Sequence, residues 1–292
     1  KGNGSDPLTE LPLPPSYTEW SADLGEPDAI VTLPGNEKLQ AIKATGAEAY
    51  RYRFVQTPNK TNVWLKAAMI RPTNYRAVHH YLVWLGRVGQ GGIDGLSTYE
   101  PSIAGFVPGM KPARFPSDAG VMLTSSNWLT FNLHYTPYGQ ATNDQPTLAL
   151  WYHRTPPAKR RQEAGPANIF GLNIPPYAGD HPMETEWTAS SNVRIHSLNP
   201  HMHVRGKRIS YEAIYPNGSR EILLSVPDYD FNWQTGYHFV TPKEIPSGTR
   251  IRISGAFDNS AQNLSNPDPS ATVYWGDQSW SEMFVGFFDF TN

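Results

Sequence analysis

The chain has no cysteine among its 292 residues. That excludes disulfides, thiolate metal sites and cysteine nucleophiles, and leaves any soft-metal ligand to histidine or methionine. Long apolar runs are also missing: none approaches the ~20 residues that span a bilayer. Charged residues make up only 17% of the chain and the formal net charge is −2. With no basic footprint, nucleic acid is not an expected partner. The opening "KGNGSDPLTELPLPPSYTEW" is polar and proline-punctuated, so it is not read as a secretory signal. The start at Lys1 and not at methionine is read as a processed end or a piece cut from a longer chain.

What the chain does have is 39% hydrophobic and 12% aromatic residues, with 24 glycines and 27 prolines spread along it. That combination predicts many short strands joined by turns. Residues 1–26 read as an extended leader lying along the first domain. From residue 27, "DAIVTL", "AYRYRFV", "VWLKAAMI", "VHHYLVWL", "GVMLTS", "LTFNLHY" and "TLALWYH" read as strands, with loops such as "GQGGIDG" and "YGQATNDQP" between them. "RTPPAKRRQEAGPAN" breaks the pattern, and its charge run, Lys159 to Arg161, reads as a solvated linker. Strands resume in "NVRIHSL", "RISYEAIY", "EILLSV", "YHFV", "RIRISGAF", "TVYWG" and "EMFVGFFDF", and "PNGS" at 216–219 is a hairpin signal. The expected architecture is all-β: two tandem jelly-roll-like antiparallel sandwiches over 27–157 and 158–292.

Nine histidines are present, and their spacing is uneven. His79 and His80 are adjacent; in a regular strand they face opposite sides, so sharing one metal needs a bulge, a strand end or an unusual ring orientation. In "LTFNLHYTP", Phe131, Leu133 and Tyr135 share one face, leaving Asn132 and His134 on the other, towards solvent or a neighbouring element. Three imidazoles in a domain without cysteine suit copper or zinc. "PHMHVRG" sets His201 and His203 two residues apart, on one side of a strand, while Met202 points the other way. By itself HxH is a weak signal, compatible with two solvent-facing imidazoles. Met283, after an acidic residue in "DQSWSEMFVGFF", is the thioether that would complete a copper-favouring set, against its commoner use as a core filler. His153, His181, His196 and His238 fall into no constellation, His196 being the closest to HMH.

Five blocks then read together: "VHHYLVWLG", "FNLHYTPYG", "PHMHVRGKRISYEAIYPNGS", "DYDFNWQTGYHF" and "FDNSAQNLSNPDPSATVYWGDQSWSEM". In this order they resemble the copper type II, ascorbate-dependent monooxygenases, whose animal members are peptidylglycine α-hydroxylating monooxygenase and dopamine β-monooxygenase. The likeness covers residues 27–292 and is closer to bacterial homologues, often one module of larger envelope proteins. It implies two sandwiches facing each other across an open cleft, each with one copper. His79, His80 and His134 match the imidazoles of the electron-supplying copper; His201, His203 and Met283 match the ligands of the oxygen-activating one. It further implies hydroxylation of a C–H bond of a small molecule by O2, with ascorbate or a similar reductant. A redox partner or fused upstream domain, no membrane span, and a periplasmic or secreted location complete the expectation.

The departures bear on the substrate. Where the peptide-hydroxylating enzyme has a carboxylate-gripping arginine, this chain has Asn199, and an asparagine and a tyrosine after the methionine ligand are replaced by Val285 and Phe287. Without a bidentate arginine a peptide carboxylate would be poorly held, so a more apolar substrate is expected. Asn132 stands where the family has glutamine and is a candidate support for His134. Two other readings compete. One is a copper-binding or electron-transfer module without a substrate. The other is a carbohydrate- or envelope-binding sandwich with incidental histidines, which 9 tryptophans and 15 tyrosines would suit.

Overall fold

The computed structural model describes residue 20 and residues 23–33, 49–86, 102–107, 113–136, 138–168 and 170–292. Most of the expected leader and the "GQGGIDG" loop lie outside them. Among the described residues there is no helix. The strands of the first half are β1 (Ala29–Thr32), β2 (Ala49–Gln56), β3 (Val63–Arg71), β4 (Val78–Leu85), β5 (Ser102–Phe106), β6 (Ala113–Arg114), β7 (Ala119–Leu123), β8 (Trp128–Tyr135) and β9 (Thr147–Tyr152). Those of the second are β10 (Lys159–Ala164), β11 (Asn173–Ile174), β12 (His181–Thr188), β13 (Val193–Met202), β14 (Gly206–Ile214) and β15 (Arg220–Val226). They continue with β16 (Tyr237–Ile245), β17 (Arg250–Phe257), β18 (Val273–Tyr274) and β19 (Phe284–Thr291).

All fourteen runs that alternation marks as strands are strands, and the architecture is an all-β sandwich. One long sheet runs β1-β9-β3-β7-β10-β19-β13-β16, with β6 added at β3. Two four-stranded sheets, β2-β8-β4-β5 and β12-β17-β14-β15, accompany it. One buried cluster gathers Leu65, Tyr81, Phe131, Leu133 and Leu148 of the first half. A second gathers Ile195, Met202, Tyr211, Ile253, Phe284 and Phe288. Each such side chain contributes roughly 1.5–3 kcal/mol when fully buried, so each cluster is a substantial core. The hairpin at 216–219 forms as its sequence requires: Tyr215 N donates to Ser219 O at 2.9 Å, and Gly218 takes a φ of +85°.

The linker expected at Lys159–Arg161 is a strand. β10 pairs in parallel with β7 (Lys159 with Ala119) and antiparallel with β19, so the long sheet passes unbroken from one half to the other. The reason is Arg161, whose side chain is buried. Its Nη1 donates to Ser102 O at 2.6 Å and its guanidinium lies over the Phe115 ring, while its Nη2 reaches Glu163 and Asp289. A charge run that looks solvated by composition thus places one of its three cations in a paired, buried position. β12 was also missed, although Met183 points inward while Glu184 and Glu186 point out. Of the expected leader, Trp20 meets Trp151 edge-on at 6.2 Å, and Trp151 Nε1 donates to Gly25 O.

Candidate metal centre

His79, His80 and His134 come together. The ladder between β4 and β8 slips between Val78, opposite Tyr135, and His80, opposite His134. His79 is the extra residue at that slip, so a bulge turns two adjacent imidazoles towards one place. His79 Nδ1 lies 3.1 Å from His80 Nδ1, and His134 Nδ1 lies 3.4 Å from His80 Nδ1. One ligand atom from each of the three falls within 4.8 Å of the others. Nitrogens each ~2.0 Å from a shared first-row metal stand roughly 3–4 Å apart, so the donor set fits a metal. The Tyr50 ring stacks on His134 at 3.9 Å between centroids. Burial holds the His80 imidazole well below its ordinary range, and His134, His79, His201 and His203 add to the shift. A neutral imidazole is the form that binds metal.

The polar face of β8 is not open to solvent. Thr130, Asn132 and His134 are all buried, because Tyr50 covers His134 and the second half of the chain closes over the bulge. On the reverse face, Tyr81 and Tyr135, each following a site histidine, both donate to Asp144. Asp144 also accepts from Thr73 N at 2.6 Å and Asn74 N at 2.9 Å. This one carboxyl ties the turn before β4 to both histidine-bearing strands.

His201 and His203 lie at and just beyond the end of β13. The rings of His201 and His203 are perpendicular, 5.2 Å between centroids. Pairing of His201 with Val285 and Met202 with Phe284 puts Met283 one step beyond the ladder, opposite His203 and on the same face. Met202 points into the core, as the alternation requires. Met283 is buried beside Val285, Ala167, Trp275 and Phe287.

Partners that sequence reading did not find fix these two histidines. His201 Nδ1 is 2.7 Å from Gln234 Oε1, and His203 Nδ1 is 3.3 Å from Ser281 O. With Nδ1 donating to these oxygens, Nε2 of each ring is left as the lone-pair nitrogen. Buried Glu282 accepts from His203 N at 2.8 Å and Arg205 N at 2.6 Å. Burial pushes its carboxyl up to about 8 despite those two donors. Arg205, itself buried, continues the network through Nε to Asn259 Oδ1 at 2.8 Å. The motifs "HVRG", "FDNS" and "SEM" carry these groups, but nothing in their spacing reveals that they meet.

The expected substrate side is partly closed. Asn199 pairs with Phe287, and His201 with Val285, so all four share one face. Val285 has no exposed surface and packs in the core beside Met283. Asn199 and Phe287 are half-buried, with Phe287 6.3 Å from His201 between ring centroids. Asn132 does not support His134 through its carbonyl: Asn132 Oδ1 is buried and meets no donor among the described residues. Among the described residues, Phe231 stands between His79 and His203. The Phe231 ring stacks on His79 at 5.1 Å and stands edge-on to His203 at 5.9 Å. His153 and His196 are engaged elsewhere, with Ala119 O and Thr291 Oγ1, each at 3.0 Å.

No protein-family model matches this chain, and no curated protein matches it. Among solved structures, one described as the structure of allantoicase is 12% identical, covering 72% of this chain and 75% of the other with a TM-score of 0.21. So slight a likeness carries no argument about this chain.

Proposed function

We propose that the chain is a copper-dependent monooxygenase that hydroxylates a C–H bond of a small, neutral, largely apolar molecule, using O2 and ascorbate or a similar reductant. The observation that carries the reading is the meeting of His79, His80 and His134; His201 and His203 stand ring to ring, and Met283, opposite His203 by extension of the β13–β19 ladder, would complete a chemically different second set. The resemblance of the five sequence blocks chooses copper among the metals such donors accept. Copper, when bound, would supply one-electron redox chemistry and a site for O2, and the soft thioether would favour its reduced state.

The chain's own groups do the rest. His79, His80 and His134 would hold one ion, with the bulge at His79 bringing the third nitrogen in. His201, His203 and Met283 would hold the other. Gln234 and Ser281 stand behind Nδ1 of the two imidazoles and would hold their rings in the orientation a bound ion needs. Phe287 and the amide of Asn199 would orient a substrate on the face of β13 and β19. No arginine stands among them to grip a carboxylate, which argues for an uncharged substrate. A periplasmic or secreted location, and fusion to a further domain or a redox partner, follow from the resemblance alone.

The second reading, an electron-transfer module, is favoured by the burial of Val285 and the closed approach of the two sets, which leave little room for a substrate. Metal content and ascorbate-driven oxygen uptake, measured together on the copper-reconstituted chain, separate the two. About two coppers, each of Met283→Ala and His79→Ala losing one, with oxygen uptake that rises with substrate, is the expected result. Two coppers without substrate-dependent uptake across a panel of small neutral molecules would favour the electron-transfer module. No stoichiometric copper would sink both.

A further inference from the structure

The stretch "DYDFNWQTGYHF" belongs to none of the ligand sets, yet residues 228–236 are built onto one of them from both ends. Tyr229 is buried, and its hydroxyl accepts from Met202 N at 3.0 Å while donating to Met202 O at 2.9 Å. Met202 is the residue between His201 and His203, so this clamp grips the backbone of the histidine pair. Two residues beyond Phe231, Trp233 N donates to Asp230 O at 2.9 Å. Gln234 then turns back: Nε2 donates to Phe231 O at 3.0 Å while Oε1 takes the His201 contact. Two glycines let the segment sit this close. A Cβ on Gly206 would meet the Tyr229 ring at 2.7 Å, and one on Gly236 would meet Asn199 Oδ1 at 2.4 Å. Phe231 is held between these anchors, with one face on His79 of the other half and its ring edge-on to His203.

We infer that residues 228–236 are a built partition, and that Phe231 joins the two histidine sets into one five-histidine centre divided by a single aromatic ring. The frame around it is fixed, since β10 carries the long sheet from one half to the other and Arg161 ties Ser102 of the first half to Asp289 of the second. The functional consequence rests on the copper reading above. An electron passing between the sets would cross one ring within a rigid frame and need no closure of the two halves. A substrate could not lie between His79 and His203, and would approach from the Asn199 and Phe287 side instead.

The partition itself can be tested without metal. In metal-free, deuterated protein with protonated, labelled phenylalanine and histidine rings, Phe231 should give nuclear Overhauser cross-peaks to both His79 and His203. Both sets of peaks should vanish in Phe231→Leu, which assigns them. Cross-peaks to one imidazole only, or to neither, overturn the proposal. A second measurement uses Cu(II) alone as the probe. The protein loaded with two equivalents should show a dipole-broadened paramagnetic resonance spectrum, which sharpens in His134→Ala and His201→Ala, each holding one. A sharp spectrum from doubly loaded protein, equal to the sum of the two variants, overturns the single centre. If Cu(II) binds at neither set the copper reading falls, and the cross-peaks still decide the partition.

Discussion

The two histidine sets are assembled by opposite means. His201 and His203 obey the alternation of a regular strand, and their rings are then aimed by partners outside it, Gln234 and Ser281. His79 and His80 violate that alternation, and a slip in the β4–β8 ladder brings them to His134. Their support comes through the sheet, from Asp144 on its far side. One site is made by a rule and trimmed by a loop; the other is made by an exception and braced by a core carboxyl. The exception must be paid for by the surrounding structure, so the three-histidine set should be the more sensitive to changes in packing.

Asp144→Ala is the sharpest way to break that comparison. It removes the acceptor of two tyrosine hydroxyls, two backbone amides and the Thr73 hydroxyl at once. Stability should fall by about 3–5 kcal/mol, the scale of breaking a buried polar network. Metal affinity should drop at the three-histidine set and stay unchanged at the His201 set, as read by site-resolved titration in the folded fraction. Equal losses at both sets would show that the bracing is not local. The mirror experiment is Gln234→Leu. Removing an acceptor behind a ligating imidazole typically weakens binding 10–100-fold, and here the loss should fall on the His201 set alone, with Gln234→Glu restoring most of it.

A further prediction supplies a baseline that belongs to neither set. Burial pushes the Glu163 carboxyl up to about 8, against the pull of Arg161. Between about pH 4.5 and 8 the folded chain therefore keeps a proton that the unfolded chain has released. Its stabilising contribution is complete below that window and is lost as pH rises through it. The denaturation midpoint should decline across this range, and Glu163→Gln should flatten the decline without altering either metal titration. A Glu163→Gln protein with an unchanged slope would place the titration elsewhere.

The strands were legible because they depend on short-range pattern, period two, which also puts His201 and His203 on one side of β13; the meeting of His79, His80 and His134 is the part of the candidate site that the structure brings together. The bulge at His79 was legible only as a condition, since sequence shows that two neighbours must share a face but not how. What stayed hidden depends on residues far apart in the chain. Asp144 meets Tyr81 across 63 positions, and Glu282 meets His203 N across 79. β10 was misread for the same reason, because the partners of Arg161, at Ser102 and Asp289, lie in opposite directions along the chain. Phe231 and Gln234 lay inside a quoted block, yet their loop has no periodicity from which a direction could be read.

The position of β19 has a consequence for how the chain is made. Phe284–Thr291 follows every other described strand in chain order, yet in the finished sheet it lies between β10 and β13. Until it emerges, β10 has no antiparallel neighbour and the strand carrying His201 lacks one of its two partners. The second half must therefore wait for β19, with unpaired edges exposed until that strand is made. The first half, whose buried cluster is complete by Leu150, can condense earlier and present a finished edge for β10 to join. Placement of His201 and His203 would thus wait for β19, well after the first half has condensed.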